Sequence, residues 1–358
     1  AEFGDVRRFW QMDAGSRGKQ PLVTFRQINS PLSSAESKEG YTLIVSEKGV
    51  EISAGEFSGF FNALQTVRQL IRKDNKKYSM PYCRIKDAPA FPVRGLMLDV
   101  GRNYMSVPFL KSVVRRLSHY KINVLHLHLS DDPGWRVEVN KYPELTVETS
   151  FWPTRQPGKF YTQEDIKSIC DFCDSLNIRV IPEIDMPGHS AAFRKAIGKD
   201  MQTPEGMQVL KEALDEIIPL FKDSLFHIGS DEVHFKMKEF MPEMIRYVRS
   251  KGKQVVVWYP GYAPDSNAVR MCWGEYEAGY SLDKSAPYID CNGFYMDWMD
   301  SQGGVLQTFF QYPCEVPQAG GKALGSEMCV WTDGAISSDE RILLQLSLIH
   351  ISEPTRPY

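Results

Sequence analysis

Strict alternation of apolar and polar positions is rare in this chain. Two short alternating runs flank Glu47-Lys48-Gly49 within residues 41–53 and predict a hairpin. Residues 56–72 then carry Phe60, Leu64, Val67, Leu70 and Ile71 at helical spacing. Together they predict a small α+β unit, followed by a proline-bearing linker at 86–92. Beyond it, near-continuous apolar runs occupy 95–100, 123–129, 179–184, 225–228, 254–258, 269–273, 288–295 and 327–331, the seventh being the weakest. Amphipathic helices fall between the early ones, over 108–120 behind Ser106 and over 164–176 behind Thr162. The Thr162-x-x-Asp165 spacing is that of a capping box. Strands that are apolar on both faces and alternate with helices predict a covered parallel sheet. Eight of them over about 250 residues match a TIM (β/α)8 barrel. A doubly wound open sheet is the alternative.

A barrel predicts where function collects, because its sites lie at the C-terminal strand ends. The unusual polar residues and tryptophans of this chain do gather there. The first run ends in Asp99 and Arg102, and the second in Asp131-Asp132 and Trp135. The third ends in Glu183, Asp185 and His189, and the fourth in Asp231-Glu232. Trp258, Trp273, Tyr295 with Asp297, and Trp331 with Asp333 close the other four. Asp231-Glu232 is the strongest signal. Buried charge is costly without a partner, and neighbouring acids drive each other's pKa values apart, as acid/base work requires. The simpler reading is a helix N-cap at Ser230 or Asp231. Acids beside flat aromatic rings point to carbohydrate, whose apolar faces stack and whose hydroxyls take charged hydrogen bonds.

Composition narrows the field. A net charge of −3 without a long basic run argues against nucleic acid, and no apolar stretch approaches the ~20 residues of a membrane span. Seven cysteines are spread thinly. Cys170 and Cys173 form a CxxC that reads as the buried face of a helix, and no second pair stands at zinc spacing. His126 and His128 alternate on an apolar strand, which suits packing or hydrogen bonding better than metal ligation.

Four segments then form an ordered series: Arg94-Gly-Leu-Met-Leu-Asp-Val100, His126-Leu-His-Leu-Ser-Asp-Asp-Pro-Gly-Trp-Arg136, Pro182-Glu-Ile-Asp-Met-Pro-Gly-His189 and His227-Ile-Gly-Ser-Asp-Glu232. In this order they resemble the β-N-acetylhexosaminidases of glycoside hydrolase family 20. The segment 60–70 is similar to the small domain that precedes that family's barrel. The resemblance implies an exo-acting, retaining enzyme that removes terminal β-linked GlcNAc or GalNAc. The substrate's own acetamido oxygen is then the nucleophile, through an oxazolinium intermediate. It further implies Glu232 as general acid/base, Asp231 as the carboxylate that orients the acetamido group, and Tyr295 as its hydroxyl donor. Asp131 and His189 would stand behind the glutamate. Arg94, Asp297 and Asp333 would bind hydroxyls, with Trp258, Trp273 and Trp331 as walls. No metal or cofactor is implied, the partners are β-linked N-acetylhexosamine glycans, and an exported compartment is favoured.

The chain departs from the pattern at four places. Ser230 stands where the family has glycine, Asp333 where it has glutamate, and Tyr259-Pro260 where it has an acidic stretch. The fourth is the C-terminus: after 336–346, residues 346–358 have no family counterpart and read as a truncation or read-through tail. An uncovered barrel side and low stability are the expectation. The domains expected are 1–88, 89–345 and the tail 346–358. The rival functions are a disaccharide-releasing or modified-GlcNAc-specific member, a carbohydrate-binding protein with little turnover, and a metal-dependent amidohydrolase built on His126, His128 and Asp231.

Overall fold

The computed structural model describes residues 23–28, 38–74, 77–262, 267–273, 286–292, 294–296 and 321–334. Its contacts divide the chain near Pro92 into two compact units. The first holds β1 (Val23–Gln27), β2 (Tyr41–Ser46), β3 (Gly49–Ala54), α1 (Phe57–Leu70), β4 (Arg72–Asp74), β5 (Lys77–Ser79) and β6 (Cys83–Asp87). A four-stranded sheet runs β1-β3-β2-β6. The β2–β3 hairpin turns at the expected place, with Gly49 at φ 110. That conformation favours glycine because a Cβ would crowd the backbone. Leu43, Val45, Val50 and Ile52 alternate inward from the hairpin against Ala63 and Val67 of α1.

The second unit holds β7 (Val93–Asp99), α2 (Val107–His119), β8 (Val124–His128), β9 (Ser130–Asp131), β10 (Gly134–Trp135), α3 (Gln163–Ser175), β11 (Arg179–Glu183), α4 (Ala191–Ile197) and α5 (Pro204–Ile217). It continues with β12 (Leu225–His227), α6 (Phe240–Ser250), β13 (Gln254–Tyr259), β14 (Val269–Cys272), β15 (Pro287–Asp290) and β16 (Lys322–Val330). Eight of these strands close a barrel in the order β11-β12-β13-β14-β15-β16-β7-β8, and every ladder in it is parallel. Its inner layer takes Met97, Val124, Ile181, Val256, Met271 and Ile289, each fully buried. Apolar strands, buried on both faces by helices outside and this layer inside, are what the continuous hydrophobic runs encode.

Local signals place the helices. Thr162 N–H donates to Asp165 Oδ2 and Asp165 N–H returns to Thr162 Oγ1, both at 3.0 Å, which is the reciprocal capping box at the start of α3. Cys170 and Cys173 are free thiols on its buried face, and burial pushes the Cys170 thiol up to about 12. They are packing residues. The seventh strand is shorter than its apolar run suggests. Asp290 takes the Asn292 N–H on its own side chain at 3.0 Å, a local turn that ends the ladder. Residues 336–346 and the tail 346–358 lie outside the described residues.

Candidate active site

The strand ends around one mouth of the barrel build the site. At β7, Asp99 is fully buried and Arg102 folds back onto it, Nη1 to Oδ2 3.1 Å. The other arm of the Arg102 guanidinium lies 3.0 Å from Asp131 Oδ2, and its plane sits 5.1 Å from the Trp331 ring centroid. Burial opposes the charge, yet Asp99 and Asp131 raise the Arg102 pKa above its ordinary value. Thr332, just past β16, donates its N–H and its hydroxyl to Asp99 Oδ2, both at 3.0 Å. A fork with two carboxylates and an aromatic face is the environment that an arginine fills and a lysine cannot.

After β11 the chain passes Asp185, a cis Met186–Pro187 bond and His189, which has φ 45. His189 Nδ1 lies 3.5 Å from Asp131 Oδ2 and its Nε2 3.4 Å from Glu232 Oε2. Burial pulls the imidazole down, but the Asp131 contact and the Asp185 charge outweigh it and lift the group to about 10. Burial also raises Asp131, but His128, His189 and Arg102 win and hold it well below the carboxylate range.

After β12 the backbone turns sharply, with Gly229 at φ 64, Ser230 at φ 96 and Glu232 at φ 48. No helix follows until Phe240, so the N-cap reading of Asp231 does not hold. The turn sends the two acids into different surroundings. Asp231 is buried and its Oδ1 has no hydrogen-bond partner. The Glu232 side chain is 60% exposed. Burial, and then the Asp185 charge, push Asp231 well above the usual carboxylate range. Burial and Glu183 push Asp185 itself up to about 7. A side chain at Gly229 would strike Asp185, since a Cβ there would stand 1.7 Å from Oδ1.

Aromatic rings wall the same region. Trp258 and Trp331 have centroids 5.6 Å apart, and Tyr295 meets Trp331 edge-on at 6.1 Å. Trp273 packs against this layer and donates its Nε1–H to the Pro260 carbonyl at 3.1 Å. A cavity of about 510 Å³ lined by Leu214, Ile218, Phe221 and Lys253 lies before β12 and β13, at the other strand ends, and holds none of these side chains.

Residues 12–88 match the family described as glycosyl hydrolase family 20, domain 2, and residues 91–205 match glycosyl hydrolase family 20, catalytic domain. The chain belongs to glycosyl hydrolase family 20. It is similar to a beta-hexosaminidase of Vibrio furnissii, 33% identical over a 275-residue alignment that covers 61% of this chain and 45% of that protein. Among solved structures it is similar to a Flavobacterium johnsoniae chitobiase, with a TM-score of 0.82 and 26% identity over 97% of this chain and 63% of that one. A Streptomyces plicatus beta-hexosaminidase mutant in complex with GlcNAc gives 0.79 and 26%, covering 91% of this chain and 76% of that one. The chain spans about half the length of the curated relatives it matches, 45% and 54% for the first two.

In this family 20 chain, the mouth brings together Asp131, His189, Asp231, Glu232, Tyr295, Trp331 and, through its charge on Arg102, the exposed Asp333. Asp297 lies outside the described residues. Two expectations need correction. Arg94 stands five residues before Asp99 on β7, about 16 Å away at ~3.3 Å per residue. Val93 and Met97 face the inner layer, so the Arg94 side chain is on the outer side, and its backbone N–H donates to Asn123 Oδ1 at 3.0 Å. Arg102 is the arginine at the mouth. Trp258 is 1% exposed, so it supports the wall from within the core instead of lining it.

Glu327 and His227, both fully buried, were not singled out from sequence, and Glu183, equally buried, was placed at a strand end without a role. The signal was present: acids and histidines inside apolar runs need partners. His126 and His128 do use their ring nitrogens on carboxylates. Two buried groups, His126 with Glu183 and His227, and His128 with Asp131 and Asp185, place ligand atoms within 4.8 Å of one another. His128 spends both nitrogens on acids and His227 Nδ1 accepts the Gly229 N–H at 3.1 Å, while Nε2 of His126 and of His227 has no hydrogen-bond partner.

Proposed function

We propose that the chain carries the catalytic machinery of an exo-acting, retaining β-N-acetylhexosaminidase. The observation that carries this reading is the split environment of the adjacent acids: Glu232 open to solvent beside His189, Asp231 buried with one oxygen unpartnered. A single chemistry that needs two neighbouring carboxylates in different roles is substrate assistance, an exception to the paired acid and nucleophile of most glycosidases. Glu232 gives a proton to the leaving glycosidic oxygen as the acetamido oxygen of the sugar closes on its anomeric carbon. Asp231 takes the acetamido N–H on its free oxygen and balances the positive charge that develops. The Tyr295 hydroxyl donates to the acetamido oxygen and aims it. Glu232, now a carboxylate, removes a proton from the water that opens the ring, and configuration is retained.

The raised pKa of Asp231 fits this assignment. A buried acid without a donor holds its proton until substrate arrives, and the acetamido N–H then favours its charged form. Arg102 and Asp333 supply hydrogen-bonding groups for the outer hydroxyls, and Trp331 a flat face for the ring. Terminal β-linked GlcNAc or GalNAc is the substrate class.

The test compares an aryl β-N-acetylglucosaminide with the matching aryl β-glucoside. Cleavage of the first alone is expected. Cleavage of both at similar rates would require a nucleophile from the protein and overturn the assignment of Asp231.

A further inference from the structure

Below the mouth, buried acids and histidines from β8, β9 and β11 alternate in one series of contacts. Glu183 Oε2 lies 2.7 Å from His128 Nδ1. His128 Nε2 lies 2.9 Å from Asp131 Oδ2. From Asp131 the series continues at 3.5 Å to His189 and at 3.4 Å to Glu232. Glu183, His128 and Asp131 are at most 2% exposed.

Glu183 is the node at the inner end. Its Oε1 accepts the Trp258 Nε1–H at 2.6 Å and lies 3.1 Å from His227 Nδ1. His126 Nε2 stands 3.0 Å from Oε2 but off-line for a hydrogen bond, and that ring's Nδ1 is bonded to Glu327 at 2.7 Å. The titratable groups around Glu183 are therefore His126 and His128 from β8, His227 from β12, Glu327 from β16, and Asp185 and Asp131 beyond them.

Geometry sets the protonation of His128. A neutral imidazole has a single N–H, and His128 meets a carboxylate oxygen at both nitrogens. It bonds both only as imidazolium, and Glu183 is the buried charge that balances it. The same oxygen of Asp131 then faces three donors, from His128, Arg102 and His189.

We propose that Glu183 is a positioning residue for Glu232, acting through His128 and Asp131 to set the proton and orientation of His189. The proposal rests on the reading of Glu232 as the acid/base. Removing the Glu183 charge lets His128 give up its Nδ1 proton, and the one N–H of the neutral ring stays on Nε2, toward the remaining anion, Asp131. Asp131 then faces a neutral ring in place of a cation. Its charge falls more fully on His189, which changes that ring's proton affinity and its hold on Glu232. No proton travels along the series in turnover; Glu232 exchanges its proton with the leaving oxygen and with water alone. The pKa directions agree: although burial opposes both, the neighbouring charges raise His128 well above its ordinary value and hold Glu183 well below its own.

The test pairs kinetics with nitrogen-15 NMR of the histidine rings on the whole chain. For Glu183→Gln, kcat/KM on an alkyl β-N-acetylglucosaminide, whose leaving group needs a proton, should fall at least about tenfold more than on the dinitrophenyl analogue, which does not. Equal losses on both would mean a purely structural role and overturn the proposal. In the spectra, wild-type His128 should carry protons on both ring nitrogens at neutral pH, and the His189 midpoint should move in the variant. An unmoved His189 midpoint overturns the proposal whether or not the protein turns over substrate. If Glu183→Gln does not fold, the wild-type spectrum decides, since a neutral His128 there is incompatible with it. Loss of the hydrolase reading is seen separately, as a wild type that cleaves neither glycoside.

Discussion

Asp231 and Glu232 are covalent neighbours that occupy opposite environments, one buried with an unpartnered oxygen and the other 60% exposed beside His189. The turn that separates them is made by three left-handed residues in a row of four, Gly229, Ser230 and Glu232. Their difference predicts different kinetic signatures. Glu232→Gln should lose about 10²–10⁴ in kcat on alkyl glycosides and far less on activated aryl ones, because protonation of the leaving group is what it removes. Asp231→Asn should lose comparably on both, because charge balance at the acetamido group is needed whatever leaves. Steady-state kinetics on the two substrate types check this, and identical profiles for the two variants would contradict the division of roles.

Arg102 and Arg94 give a second contrast. Arg102 bridges Asp99 and Asp131 beneath Trp331, whereas Arg94 lies on the outer side near the start of β7. Arg102→Lys should raise KM by at least about tenfold, as a point charge replaces a planar fork. Arg94→Lys should leave KM within about twofold, because surface changes away from the site are mostly mild. A KM that responds to Arg94 and not to Arg102 would restore the assignment read from the motif alone.

The origin of that misassignment marks what a sequence can and cannot carry. The eight strands were legible because each is a short apolar run, and the hairpin at Gly49 and the box at Thr162 because each has a local chemical signature. The site was legible as a set, since acids and tryptophans at strand ends fall at one face of a barrel. Which arginine reaches the mouth depends on strand phase: Arg94 is one residue out of register with Val93 and Gly95, and Arg102 lies past the strand end. The role of Glu183 was hidden because the groups that approach it come from β8, β12 and β13, far apart in the chain. Tyr295 was read as the end of the seventh run, but its bridge to Cys329 depends on the early end of β15, which a weak apolar run does not reveal.

Ser230 should be a removable source of strain. It holds φ 96, and its Oγ is buried without a partner. Ser230→Gly removes both costs, a left-handed non-glycine residue at ~1–3 kcal/mol and an unsatisfied hydroxyl, against a loss of less than ~1 kcal/mol from greater freedom of the unfolded chain. Thermal unfolding should shift upward by several degrees. An unchanged or lower midpoint would mean that the hydroxyl has a partner in solution.

Stability should also fall as pH rises, from groups in the same core. Asp185 is raised by burial, and then by Glu183, to about 7. A carboxyl whose folded pKa lies above its unfolded one near 3.9 binds its proton more tightly when folded, so its contribution is complete in acid and lost between about pH 4 and 7. His126 and His189 are lowered by burial but raised further by their carboxylates, to about 9 and about 10. Their contribution is complete below the unfolded value near 6.5 and lost as pH climbs through the folded values. Each tenfold gain in proton affinity on folding is worth about 1.4 kcal/mol. Asp131 and Glu183 are depressed and act oppositely, but their loss begins only in stronger acid, as pH falls below about 4. His227, which burial lowers to about 4, also acts oppositely, and it offsets Asp185 between about pH 4 and 6.5. Above about pH 6.5 His126 and His189 share one direction, and the unfolding midpoint should decline from neutral to alkaline buffer at constant ionic strength. A midpoint that rises over that range would mean that His126 and His189 are neutral in the folded protein, and the electrostatic series that reaches Glu232 would lose its basis.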